Sequence, residues 1–430
     1  MPGLKHACAM ALLALLPGCV KATLAWTDLK PNGPDARPAI LAAAGDSEAD
    51  PVEAWRARTP RIKNALQAEV YGFLPDASST EIIERRVIAQ DAFGGLGRLE
   101  EYVLRSTATF DGVDNVSRRY LMNTVVPVGA ARPSPVILMQ TFCPRWDTVP
   151  HPGVTRPAGA GSCDDGAMSG LMRFVFGRYI ATPPIEEILA RGYAVATIYP
   201  SELVPDSAEA GAAALAALSE GHQDDETRWG AIGAWAWAFS QMADVLLTDE
   251  AIDPDGLVVF GHSRYGKSAL VAAAFDPRID AVLAHQSGTG GASLNREKRG
   301  ESVRQITDSY PHWFSRAYAG FAGREEAMHI DQHHLLALIA PRPILLGNAR
   351  RDVWSDPNGA FRAALGADPV YEIFGSAGLD QARLSPFQPE ADLSFWIRPG
   401  THGVVKEDWP AFLDFLDAHF PAGDAADVAP

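Results

Sequence analysis

From about residue 130 onward the apolar positions stop alternating with polar ones and run together. The stretches 135–142 (PVILMQTF), 193–199 (YAVATIY), 257–262 (LVVFGH), 280–285 (DAVLAH), 342–347 (RPILLG) and 393–398 (LSFWIR) are short continuous apolar runs. Such runs predict strands with both sheet faces covered by helices. Helical spacing appears between them, over 184–191, 230–247, 264–275, 331–339, 358–364 and 408–419. Strand–helix alternation of this kind predicts a mostly parallel sheet joined by right-handed crossovers. The earlier segments 82–89 (IIERRVIA), 98–105 and 119–127 (RYLMNTVVP) alternate more and predict an antiparallel edge. The expected fold is a three-layer α/β sandwich. Its site is expected at the carboxyl ends of the parallel strands.

The two ends of the chain read differently. Lys5 and His6 precede a short apolar run at 7–18, which has the length of a signal-peptide core and is too short to span a bilayer. Two processing readings stay open. ATLA at 22–25 would end a secretory signal, giving a leader of 1–25, whereas LLPGC at 15–19 would make Cys19 a lipidated residue. Either reading predicts export, to the periplasm or the medium. Residues 26–50 are rich in Pro, Ala, Asp and Gly and read as a linker or loosely docked segment. The tail 421–430 is expected to fray, leaving one catalytic domain over 51–420.

Composition narrows the function. The net charge is −16, and loss of the leader would remove two lysines and no acid. Nucleic acid is therefore not an expected partner, because phosphate binding needs clustered cations. No cysteine or histidine grouping has good zinc spacing, so neither a metal nor any other cofactor is expected, and a monomer is expected. Outside the leader the cysteines are Cys143 and Cys163. In an oxidising compartment they are a disulfide candidate, and two free thiols on one long loop is the alternative.

The chemistry-bearing stretch is VVFGHSRYGKSALVAAA, 258–274. It places Ser263 between a strand and a helix, as in a nucleophile elbow, although Tyr265 stands where that turn usually carries glycine. A serine hydroxyl needs a base. His402 in RPGTHG, after the last strand, is the candidate, ahead of His312, His333 and His334. An acid must hold the imidazole in the right tautomer. Asp352, in the loop after 342–347, is the candidate, and Asp356 beside Pro357 reads as a helix cap. Arg264, directly after the serine, offers a permanent positive charge to a developing oxyanion; the alternative is a surface arginine paired with an acid. Trp229, Trp235 and Trp237 have the spacing of core residues.

Taken together, WGAIGAWAW (229–237), GHSRYGKSAL (261–270), SGTGGASLNREKRGE (287–301), PHWF (311–314), DQHHLLALIAPRP (331–343), DVWSDP (352–357) and GTHG (400–403) resemble the bacterial glucuronoyl esterases, carbohydrate esterase family 15. The resemblance covers about residues 60–420. It implies an α/β-hydrolase that cleaves esters of (4-O-methyl-)glucuronic acid, as carried by glucuronoxylan and its lignin-carbohydrate linkages, without a metal. It implies Ser263 as nucleophile, His402 as base, Arg264 as oxyanion helper, and Lys267, Glu301 and Trp354 as uronate contacts, with Trp313 near the same face. Fungal members carry their acid in a Glu-Ser-Gly stretch where this chain has Gln286, so the acid must come from elsewhere; Asp352 matches the position used by some bacterial members. The loop MQTFCPR (139–145) also departs from the bacterial pattern. Competing expectations are a broader carboxylesterase or acetyl-sugar esterase, and an inactive carbohydrate-binding relative; the intact Ser263, His402 and Asp352 argue against the last.

Overall fold

Among the described residues, ten strands form one sheet. They are β1 (Ala77–Asp91), β2 (Gly97–Phe110), β3 (Val113–Asp114), β4 (Arg118–Pro127), β5 (Ser134–Gln140), β6 (Ala194–Ile198), β7 (Ile252–His262), β8 (Ala281–His285), β9 (Ile344–Ala349) and β10 (Leu393–Arg398). Their order is β1-β2-β4-β6-β5-β7-β8-β9-β10, with β3 paired to β2. Pairing is antiparallel from β1 through β6 and parallel from β6 to β10. This is the α/β-hydrolase arrangement expected from the sequence, with the antiparallel edge where the early strands alternate. The computed structural model describes residues 40–41, 50–166, 169–222 and 224–420. The candidate leader 1–25 with Cys19, nearly all of 26–50, and the tail 421–430 lie outside these.

The helices that bear on the sheet and the site are α1 (Pro51–Leu66), α2 (Ile185–Ala190), α3 (Ala208–Ala217), α4 (Ala231–Leu246), α5 (Arg264–Phe275), α6 (Gln332–Ala337), α7 (Pro357–Ile373) and α8 (Asp408–His419). The strand period of two sorts the side chains into layers. Val136 and Leu138 of β5 and Val259 of β7 face a core built with α4, α5 and α7, while Ile137, Met139, Val258 and Phe260 face α2 and α8. Both faces are dry, which is why these strands read as unbroken apolar runs. Trp229, Trp235 and Trp237 are buried in the larger core.

Three differences from the pattern have physical causes. Helix α7 continues to Ile373 through Pro369, where the ring should interrupt a helix; burial of Ala367, Val370 and Tyr371 offsets the lost hydrogen bond. Helix α1 carries few apolar positions, with Trp55, Ile62 and Leu66 buried, so its periodicity is faint. Strand β1 starts earlier than expected and is mostly exposed. Its Arg85 and Arg86 pair with the buried Glu100 and Glu101 of β2.

Candidate active site

The site begins with the turn between β7 and α5. Ser263 has φ 56° and ψ −121°, a region that costs a non-glycine residue about 1–3 kcal/mol and persists only when its surroundings enforce it. Here the Ser263 amide donates to the His285 carbonyl at 2.8 Å, and the Ser263 carbonyl accepts from the amides of Gly266 and Lys267 at 3.0 and 3.2 Å. The turn is tight enough that a Cβ at Gly261 would lie 1.9 Å from the Tyr265 carbonyl oxygen. Tyr265 itself needs no glycine. Its ring leaves the turn and packs on Trp235 and Phe142, with centroids at 5.2 and 4.9 Å. The amides of Arg264 and Tyr265, the first two of α5, have no hydrogen-bond partner among the described residues, and the positive dipole end of the helix lies at Ser263.

His402 stands in the loop after β10. Side-chain contacts hold that loop. Arg398 Nη2 and His285 Nε2 donate to the Gly403 carbonyl at 2.7 and 3.0 Å. The Gly403 amide donates to Gln286 Oε1 at 2.8 Å, and Gln286 Nε2 donates to the Thr401 carbonyl at 3.3 Å. Gln286 therefore braces the peptide groups on both sides of His402. A carboxylate in its place could accept from Gly403 but could not donate to Thr401.

The structure sets Asp352, not Asp356, on the imidazole. His402 Nδ1 donates to Asp352 Oδ2 at 2.7 Å, and Ser355 Oγ lies 3.3 Å from the same nitrogen. Burial alone would push the Asp352 carboxyl up, but hydrogen bonds from His402 and Ser355 outweigh it and hold the group below the usual carboxylate value. Asp356 sits in the left-handed region at φ 52° and caps α7, accepting from the Gly359 amide at 3.0 Å. The other face of the His402 ring meets His262 at 4.5 Å between centroids. Burial and then His402 drive the His262 ring well below its ordinary pKa, so it packs as a neutral spacer.

Ser263, Arg264, His262 and His402 open onto one cavity of about 300 Å³, walled by Phe142, Phe176, Ile180 and the disulfide Cys143–Cys163. Among the described residues no hydrogen bond joins Ser263 to His402; they share this space. The disulfide ties the loop after β5 to the segment 20 residues on. His333 and His334 are buried in α6, and His312 bonds Asp206.

The remaining expected residues divide. Arg264 lies over the rings of Phe142 and Trp313, 5.1 and 5.0 Å from their centroids, and its Nη1 pairs with Asp206. It is thus both paired with an acid and part of the cavity wall. Lys267 is buried and donates to the carbonyls of Ser287 and Thr289, at 2.5 and 2.8 Å, which leaves one N–H uncommitted among the described residues. Burial lowers its ammonium to a pKa of about 7, with Glu301 pulling the other way. Glu301 is buried rather than solvated. Burial pushes its carboxyl up, opposed by Lys267, Lys298 and a hydrogen bond from the Trp354 indole. Trp354 is 52% exposed and presents an open aromatic face. Trp313 does not: it is buried, stacked on Tyr310 at 3.7 Å, and its Nε1 donates to Asp206 at 2.8 Å. Its place is behind Arg264. Asp206 was not among the residues singled out from sequence. Its only signal is its place in the loop that follows β6, a parallel strand of this sheet.

Comparison with known proteins points the same way. Residues 208–375 match the family model for the glucuronyl esterases of fungi. A carbohydrate esterase designated MZ0003, from an unknown prokaryotic organism, is 40% identical over 243 residues, 56% of each chain; this chain thus spans about half the length of that curated relative. Among solved structures, a promiscuous esterase of carbohydrate esterase family 15 from a marine bacterial metagenome has a TM-score of 0.74 at 30% identity, over 91% of this chain and 98% of that one. A glucuronoyl esterase from Solibacter usitatus has a TM-score of 0.74 at 31% identity, over 90% and 99%. An elbow serine, an Asp–His pair and an adjacent arginine on one cavity, within a fold shared over nearly the whole length of these relatives, place the chain in carbohydrate esterase family 15, the glucuronoyl esterases.

Proposed function

We propose that the protein is an exported serine esterase that hydrolyses esters of glucuronic acid or 4-O-methyl-glucuronic acid. The observation that carries this reading is the convergence of Ser263, the Asp352–His402 pair and Arg264 on one cavity. His402 takes the Ser263 proton through Nε2, since Nδ1 is committed to Asp352. The serine oxygen attacks the uronoyl carbonyl, and charge develops on the carbonyl oxygen. The Arg264 guanidinium and the uncommitted amides of Arg264 and Tyr265 at the start of α5 stabilise that charge. The alcohol leaves with the proton from His402, and water releases the acid by the same steps in reverse order. Lys267, Glu301 and the open face of Trp354 supply a cation, an acceptor and a stacking surface for the sugar. The apolar wall of Phe142, Phe176 and the disulfide suits the alcohol. Export is supported by the disulfide, which persists in oxidising compartments.

A second reading, a broader carboxylesterase, is favoured by that apolar wall and by the relative described as promiscuous. Hydrolysis of methyl glucuronate, benzyl glucuronate and acetylated xylan by the wild type and by Ser263→Ala separates the two. The uronate reading expects a strong preference for the glucuronates and loss of turnover in the variant. A preference for acetyl esters would overturn it.

A further inference from the structure

We infer that Asp206 is a positioning residue for Arg264: it sets the guanidinium beside the nucleophile before substrate arrives. The inference rests on the oxyanion role proposed above for Arg264. Asp206 is delivered by the loop between β6 and α3, and three side chains converge on its carboxylate. Oδ2 pairs with Arg264 Nη1. Oδ1 accepts from His312 Nε2 at 2.9 Å and from Trp313 Nε1 at 2.8 Å. The last two donors hold Oδ1, and Oδ2 then holds Nη1 of the guanidinium.

Two rings complete the clamp. Arg264 lies over the rings of both Phe142 and Trp313. Trp313 thus acts twice, by its indole N–H on the acid and by its face on the cation. Its own plane is set by the parallel stack on Tyr310, 5° apart at 3.7 Å. His312 is buried, and its Nε2–H donates to Asp206.

The chemistry needs such a device. An arginine next to a nucleophile has many rotamers, and one that must find the oxyanion during the reaction forfeits much of its benefit; a donor held in place costs no reorganisation at that moment. Pairing with a carboxylate also damps the cation. The arrangement trades some charge for geometry, and leaves Arg264 Nη2 without a hydrogen bond among the described residues. The sequence separation of Asp206 from Ser263, in a different loop of the same sheet edge, explains why no motif contains it.

A double-mutant cycle tests this, with kcat and KM measured on benzyl glucuronate and on p-nitrophenyl acetate. Asp206→Asn is expected to lower kcat roughly 10- to 100-fold, with KM changed less than about threefold. In an Arg264→Ala background the same change should cost less than about twofold, because a residue acting through Arg264 has nothing left to position. Asp206→Glu should recover part of the loss. A loss that multiplies with that of Arg264→Ala, or an undiminished kcat in Asp206→Asn, overturns the inference and leaves the proposed function standing. An Arg264→Ala enzyme with full kcat overturns the inference and the oxyanion role of Arg264 on which it rests. If only the acetate is hydrolysed, the uronate assignment fails while the cycle still reads Asp206. Should Asp206→Asn melt far below the wild type, Trp313→Phe keeps a ring beside Arg264 and removes one donor to Asp206, and it must show the same non-additive pattern on a smaller scale.

Discussion

Replacing Asp352 by asparagine removes one charge and alters few contacts, so it isolates what the acid does. The Asp352 side chain is 2% exposed, with Oδ2 at 2.7 Å from His402 Nδ1. During attack the imidazole becomes positive. For charge centres about 4 Å apart at an effective dielectric of about 20, the lost attraction is about 4 kcal/mol, or about 10³ in rate. The surroundings add to this. The Ser355 amide donates to Asp352 Oδ1 at 3.3 Å, so in Asp352→Asn that position retains the carbonyl oxygen and turns the amide NH₂ toward His402. Nδ1 must then accept, and the proton moves to Nε2, where it blocks removal of the Ser263 proton. The expected result is a kcat for benzyl glucuronate lowered by roughly 10³-fold or more, with KM changed far less, because Asp352 acts through His402. Asp356→Asn keeps a helix cap and should retain near-wild-type kcat. An Asp352→Asn enzyme with more than about a tenth of wild-type kcat would refute the reasoning.

Three further outcomes are expected from other parts of the structure. Reduction of Cys143–Cys163, or Cys143→Ser with Cys163→Ser, should destabilise the fold by about 3 kcal/mol for a loop of this length and raise KM for benzyl more than for methyl glucuronate; unchanged melting and KM ratios would remove the disulfide from the cavity's design. Lys267 has its pKa lowered to about 7 by burial against the pull of Glu301, so its positive charge is lost as pH rises through that value. KM for glucuronates should climb above pH 7, and Lys267→Gln should abolish that dependence; a climb that persists in the variant assigns it to another group. Asp408 is held down to about 2 even though burial pushes it up, chiefly by His285 and Arg398. A depressed carboxylate stabilises the fold above its unfolded pKa of about 4 and loses that contribution as pH falls toward 2, about 2 kcal/mol in all. Melting temperature between pH 5 and 2 should fall more steeply for the wild type than for Asp408→Asn, and parallel curves would contradict the sign.

The sequence alone determined the sheet and the turn. Unbroken apolar runs predict strands buried on both faces, and the alternating early segments an antiparallel edge, because burial acts residue by residue and leaves its period in the chain. Ser263 was legible for the same local reason: glycines at 261 and 266 and the apolar strand before them mark a sharp strand-to-helix turn. The tertiary structure decided what depends on partners far apart in sequence. It set Asp352 rather than Asp356 on His402, since one carboxylate was left to face the imidazole once the other had capped α7. It turned Gln286 into the brace of the His402 loop, set the Trp313 ring against both Arg264 and Lys267, and joined Cys143 to Cys163. It also brought in Asp206, whose three partners lie 58 or more residues away along the chain. Hydrogen bonds and ion pairs of this kind impose no period on the sequence, so they become visible only when the sheet has brought the strand ends together.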